Sequence, residues 1–236
     1  MTLDAYLVNI SNRITLSSAI NTNTPAVQAY LAQNGITNAN YSSLRYFTNA
    51  ADTRTKGADL VVSYRTEFNN GLKWTPTLGI NVNQNQVTHV APNPQILNTL
   101  QLVSGPISGT NFVRLDRRET LGLMNESNPE LKITLGNDFS LDNWTLHTNL
   151  VRYGSFISIS NNGPTQDQSF GAQWVLDLAF DYRYRNWTFT VGSDNVGNSY
   201  PDRSLYATQG GTVPYSQFSP NGFNGAFYYG KVAYKW

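Results

Sequence analysis

The final segment, Gly225 to Trp236, reads Gly-Ala-Phe-Tyr-Tyr-Gly-Lys-Val-Ala-Tyr-Lys-Trp. Successive side chains on a strand point to opposite faces. Ala226, Tyr228, Val232, Tyr234 and Trp236 therefore share one face, and Lys231, Ala233 and Lys235 the other. A strand that is aromatic and aliphatic on one side and basic on the other meets two different solvents. In water such a terminal strand, ending on an uncovered aromatic, is an aggregation hazard. In a bilayer it is a lipid-facing strand with an interfacial anchor. Tyr228, Val232, Tyr234 and Trp236 are accordingly expected to face lipid.

Composition agrees with the second reading. Charged residues make up 13% of the 236 residues, against roughly 25% in soluble domains. The formal charge of +1 offers no basic field for nucleic acid. Zero cysteines excludes a disulfide framework, a thiolate metal site and a Cys nucleophile. No apolar run approaches the ~18 residues of a membrane helix. A membrane protein of this composition has to be a barrel, because only helices and closed barrels satisfy their backbone in lipid. Met1-Thr-Leu-Asp-Ala-Tyr shows no signal-peptide pattern, so a signal is expected to have been removed or the chain to be a piece of something longer.

Eight strands are expected, all antiparallel and up-and-down. The opening run Thr2 to Leu16 has mixed parity: Leu3, Ala5 and Leu7 share one face, Tyr6, Val8 and Ile10 the other. A bulge at an unassigned position reconciles them. A polar connection over 20–43 contains one short helix, Ala26 to Gly35. Alternation then marks Ala58 to Arg65, Leu72 to Asn83, Leu131 to Phe139, Trp144 to Leu150, Trp174 to Arg183 and Trp187 to Asp194. Turn signals stand at Asn69-Asn70-Gly71, Ser140 to Asn143 and Arg185-Asn186. Connections alternate long and short, so the short turns lie at one rim and the long loops at the other, as in bacterial outer-membrane barrels. Trp74, Trp144, Trp187 and Trp236 all stand beside short turns or the chain end, the placement of a periplasmic aromatic girdle.

No catalytic, cofactor or metal constellation is expected, and the chain is not read as an enzyme. His89 and His147 stand on different strands and are read as lumen or loop residues rather than as a metal pair. Asp177 and Asp181 share a face but lie roughly 13 Å apart along a strand, wider than the ~5–9.5 Å of paired catalytic carboxylates. With Arg183 they are expected to form an ion-pair ladder in the lumen, where Lys231 also points; Asp59 with Arg65 and Lys132 with Asp138 read the same way. Gly105 to Thr110 matches no phosphate loop. Asn143-Trp-Thr and Asn186-Trp-Thr match a glycosylation pattern but stand where tight turns want Asn. Phe218 to Phe223 is either a ligand-contacting loop tip or a structured turn.

Several segments go beyond periodicity. Asp194-Asn-Val-Gly-Asn-Ser-Tyr-Pro resembles a segment near the end of TonB-dependent outer-membrane receptors. Ser219 to Trp236 resembles that family's closing loop and last strand, and Phe47 to Leu60 its strand with Asn, Gly and an acidic residue at fixed spacing. Ser127 to Lys132, Phe170 to Leu178 and Leu3 to Ile14 fit as well, in the family's order. The resemblance implies that residues 1–236 are the C-terminal part of a barrel of about 22 strands with a plugged lumen, lacking the plug domain and signal peptide. It further implies a Gram-negative outer-membrane location and uptake of a scarce nutrient such as siderophore-bound iron. The implied partners are membrane lipid, the rest of the barrel and plug, the barrel-assembly machinery and a small-molecule ligand. TonB would be met only through the missing N-terminal part, so the segment would not transport alone. The family's last residue is usually Phe; Trp236 is expected to serve as the assembly signal less efficiently.

The alternative is a complete eight-stranded barrel with a structural or adhesive role; a soluble β-rich lectin or hydrolase fits the low charge but not the outward tryptophans. The first strand discriminates the two barrels. In a closed small barrel, Thr2–Leu16 pairs with Gly225–Trp236; in a barrel segment both are open edges.

Overall fold

The computed structural model describes residues 1–17, 20–37, 43–92, 94–99, 118–160, 163–208 and 213–236; the Gly105 to Thr110 loop lies outside them. Eight long strands follow one another: β1 Thr2–Leu16, β2 Phe47–Ser63, β3 Lys73–Val90, β4 Leu131–Leu141, β5 Trp144–Tyr153, β6 Gln173–Tyr184, β7 Trp187–Asp194 and β8 Phe227–Tyr234. Each pairs antiparallel with its neighbour in sequence, and the short strand Thr66–Glu67 adds to the start of β3. The product is an up-and-down sheet whose two edges are β1 and β8. The eight-stranded closed barrel is therefore not formed, because its closing pair is the one missing from the strand order.

Two-residue turns join β4 to β5 and β6 to β7. Asp142 (φ 52°) and Arg185 (φ 54°) take the left-handed conformation that turns matched to strand twist require. The second residue of each turn also secures a neighbouring strand end. The carbonyl of Asn143 accepts the Arg183 N–H at 2.8 Å, and that of Asn186 accepts the Lys235 N–H at 2.9 Å. Asn186 Nδ2 donates in turn to the Lys235 carbonyl at 2.7 Å, a turn-building use of the glycosylation-like Asn.

The expected bulge lies between Ile10 and Arg13, at Asn12, which has φ 55°. Its N–H is held by Asp52 Oδ1 at 2.8 Å. Before the bulge Leu3, Ala5 and Leu7 lie on the face of Leu60 and Ala58. After it Ile14 and Leu16 are exposed while Thr15 is buried. One extra residue thus exchanges the faces of odd and even positions.

Burial is concentrated at the long-loop rim. The expected helix forms as α1, Pro25–Gln33, burying Val27 and Leu31. Two further helices, α2 Gln95–Thr99 and α3 Arg118–Asn125, lie in the long connection between β3 and β4. Leu121 and Met124 of α3, together with Val87 and Val90 of β3, pack against the buried Ala50 and Ala51 of β2. Asn85 Nδ2 donates to the Met124 carbonyl at 2.7 Å and Asn125 Oδ1 accepts the Val87 N–H at 3.0 Å. These bonds hold the helix on one face of β2 and β3.

Candidate functional site

The strand registers sort side chains into two faces. One carries Leu78, Ile80 and Val82 of β3 opposite Leu135, Ile133 and Leu131 of β4. It continues through Leu146 and Leu150 of β5, Leu176, Phe180 and Tyr182 of β6, Phe189 and Val191 of β7, and Tyr228, Val232 and Tyr234 of β8. Phe180, Phe189 and Val232 are 39%, 43% and 60% exposed. A continuous apolar surface of this extent belongs against an apolar medium.

Aromatic rings line this outward face beside the short turns. Trp74 stacks on Phe139 with centroids 6.0 Å apart, Trp144 lies 4.1 Å from Tyr182 and 5.0 Å from Phe180, and Trp187 lies 4.8 Å from Tyr234. Trp236 follows β8, 98% exposed. A fifth tryptophan, Trp174, stands at the other end of the same face, with the Arg152 guanidinium 5.9 Å from its ring. Trp174 and Tyr184 are ten residues apart on β6, about 33 Å of strand, which a ~40° tilt converts to roughly 25 Å of height. That equals the apolar band of an outer-membrane barrel. Asn137 looks misplaced on this face, yet its Oδ1 accepts the Trp74 indole N–H at 3.1 Å and its Nδ2 donates to Thr148 Oγ1 at 3.2 Å.

The other face is polar. His147 Nδ1 lies 2.6 Å from Asp138 Oδ1 and its Nε2 lies 3.4 Å from Asp181 Oδ2, so one imidazole bridges carboxylates on β4 and β6. Asp138 therefore pairs with His147 and not with Lys132, which sits over the Tyr153 ring at 5.4 Å. Arg183 and Lys231 share this face but make no ion pair among the described residues. Asp59 takes a hydrogen bond from Asn81 in place of the expected Arg65. Asp177 accepts Asn149 Nδ2 at 3.1 Å and the Asn195 N–H at 2.8 Å; it holds a turn. The expected ladder is thus a histidine bridge with the arginine left out. A hollow of about 370 Å³ opens here, lined by Thr77, Asp138, His147, Asn149, Asp177 and Tyr229. Both imidazole nitrogens face carboxylates. Among the described residues no group of three His, Asp or Glu side chains is arranged to hold a metal ion.

The motif after β7 is a structural knot. Asn195 (φ 51°) closes on Ser199, accepting its N–H at Oδ1 and donating Nδ2 to its carbonyl, both at 2.8 Å. Asn198 Oδ1 accepts the Ala226 N–H at 3.0 Å. The segment therefore ties β6, β7 and the approach to β8. Phe218 to Phe223 is the structured turn: Ser216 is buried, its Oγ accepts the Phe218 N–H, and Phe223 continues the Tyr200–Tyr215 stack.

A two-solvent sheet with these turns matches a known family over most of its length. Residues 1–196 fit the family model described as TonB-dependent receptor-like, β-barrel. The chain belongs to that family. Among solved structures, it is similar to the outer-membrane transporter YddB from Escherichia coli, with a TM-score of 0.53 and 12% identity over 84% of this chain. It is similar to the copper transporter OprC at 0.53, with 16% identity over 98% of this chain. It spans 26% and 28% of those two chains. A comparison with curated protein sequences returns no match.

Proposed function

We propose that this chain is the C-terminal barrel portion of an outer-membrane receptor that takes up a scarce nutrient, siderophore-bound iron or a similar cargo, in a TonB-dependent system. The carrying observation is the open sheet with a continuous apolar outward face and a polar inward one. Both edges lack partners within the described sheet, and unpaired edges cannot remain so in lipid. Neighbouring strands of the same receptor supply them, and the plug fills the polar side. On this reading Trp74, Trp144 and Trp187 form the periplasmic girdle. Tyr228, Val232, Tyr234 and Trp236 anchor the last strand and present the assembly signal. Asp177, Asp181, Arg183 and Lys231 face the lumen. Segment and plug act together; energy from the inner membrane reaches the barrel only through the N-terminal part.

The test is fractionation of the host envelope followed by blotting with an antibody to residues 199–223. A heat-modifiable outer-membrane band several times larger than the 236-residue chain is expected. Disruption of the gene should also abolish growth on a ferric chelate as sole iron source. A band confined to the soluble fraction defeats the receptor reading; normal growth on ferric chelates defeats the iron cargo alone.

A further inference from the structure

On β1, β2 and β3 the outward face changes character partway along. Leu7 gives way to Asn9, Ala58 to Lys56 and Arg54, and Val82 to Gln84 and Gln86. Register places these five polar residues side by side: Asn9 opposite Arg54, Lys56 opposite Gln84 and Arg54 opposite Gln86. All five are exposed. Arg54 Nε donates to Asn9 Oδ1 at 3.1 Å, which fixes the guanidinium on the outward side. Among the described residues no carboxylate lies within 4.0 Å of either cation. The nearest acidic residue along the strand, Asp52, accepts the Asn12 N–H.

Height decides what such a patch meets. Gln84 is ten residues from Trp74 on β3, about 33 Å of strand and roughly 25 Å of rise at a barrel strand's tilt. The cations therefore sit at the far edge of the apolar band, at headgroup depth, on the long-loop side. Two like charges two residues apart on one face, about 7 Å along the strand, repel. An anion between them removes that cost. A guanidinium and an ammonium flanked by carboxamides form a phosphate-selective set, since the guanidinium fork fits a phosphate's oxygens and the amides add donors.

We propose that Arg54 and Lys56, with Asn9, Gln84 and Gln86, bind a phosphate group of the outer-leaflet glycolipid. The proposal rests on the receptor reading, which places this rim at the extracellular leaflet. Binding supplies the counter-charge and pins β1–β3 at a fixed depth.

The receptor is extracted from its own outer membrane in mild detergent, and glycolipid retained per protein is measured by native mass spectrometry. The wild type should retain it, and R54Q/K56Q should retain about thirtyfold less, on the scale expected for removing two basic groups from an anionic surface. Wild-type receptor exchanged into lipid A stripped of its phosphates should lose retention to the same extent, and millimolar inorganic phosphate should not displace the lipid. Equal retention by the variant defeats the proposal, as does equal retention of the phosphate-free lipid. Displacement by inorganic phosphate would make this a free-anion site instead. If the variant does not assemble, the phosphate-free lipid decides the matter with the wild type alone. Absence of the chain from the outer membrane sinks the receptor reading; presence there without phosphate-dependent retention sinks only this inference.

Discussion

At the scale of single residues, contacts on the inward face explain positions that alternation leaves blank. Tyr229 lies flat over Gly192, and Tyr6 over Gly57, so closely that a Cβ at either glycine would strike the ring. A Cβ at Gly57 would also come within 2.6 Å of the Val82 carbonyl oxygen. The Tyr6 hydroxyl accepts Asn83 Nδ2 at 2.7 Å, which fixes the ring across the strand pair. Gly192→Ala should cost on the order of 1–3 kcal/mol by forcing the ring away, read as the urea midpoint of micelle-folded receptor. Adding Tyr229→Ala should recover much of that loss in the same titration. Gly57→Ala should be the worse single change and should resist rescue by Tyr6→Ala, because a backbone oxygen cannot move aside. The sequence places both glycines within strands but not under a ring, since the ring that covers each comes from a neighbouring strand.

At the scale of elements, turns and bulges carry the precision. The first strand's mixed parity shows in the sequence that a bulge exists, but its position at Asn12 is secured by Asp52, forty residues away. Asp52→Ala should cost about 1 kcal/mol for the lost hydrogen bond and increase amide exchange at Asn12, without affecting exchange at β8. Asn186→Ala should leave the β6–β7 hairpin formed and speed exchange at Lys235, whose N–H and carbonyl are held by that turn. Unchanged protection at Lys235 would mean that the turn does not clamp the last strand. Strand lengths were partly hidden for a physical reason. Alternation ends near Ala58 and Val82, yet β2 starts at Phe47 and β3 runs on to Val90. Beyond the apolar band the outward face turns polar at Arg54, Lys56, Gln84 and Gln86, while the apolar residues Ala51, Val87 and Val90 serve the other side. The ladder therefore continues after the outward stripe has stopped. The helix α3 was hidden too, because its identity depends on the floor it packs against.

At the scale of the whole molecule, the sheet presents an apolar and a polar face, and substitutions should sense which side they fall on. Val191 faces outward some 13 Å of strand from Trp187, near mid-band, while Thr190 faces inward. Val191→Arg should destabilise by about 2–4 kcal/mol, and Thr190→Arg by far less, compared by urea unfolding in lipid bilayers. Equal penalties would overturn the assignment of faces. The same division explains why the histidine bridge could not be read from sequence. Asp138, His147 and Asp181 lie on three strands, and only the registers of β4 on β5 and β5 on β6 bring them together.

What the sequence determines by itself is whatever depends on period two and on local turn chemistry. That covers the eight strands, the outward stripe ending in Tyr234 and Trp236, the short-turn tryptophans and the ordered motifs of the receptor family. Each is a property of residues within one strand or one turn, where the backbone alone sets the side-chain direction. Only the tertiary structure decides which polar groups meet, that the ladder omits Arg183, that Asp177 serves a turn, and that the sheet stays open at β1 and β8. Those outcomes depend on inter-strand register. A shift of two residues would keep every face unchanged and change every polar partner.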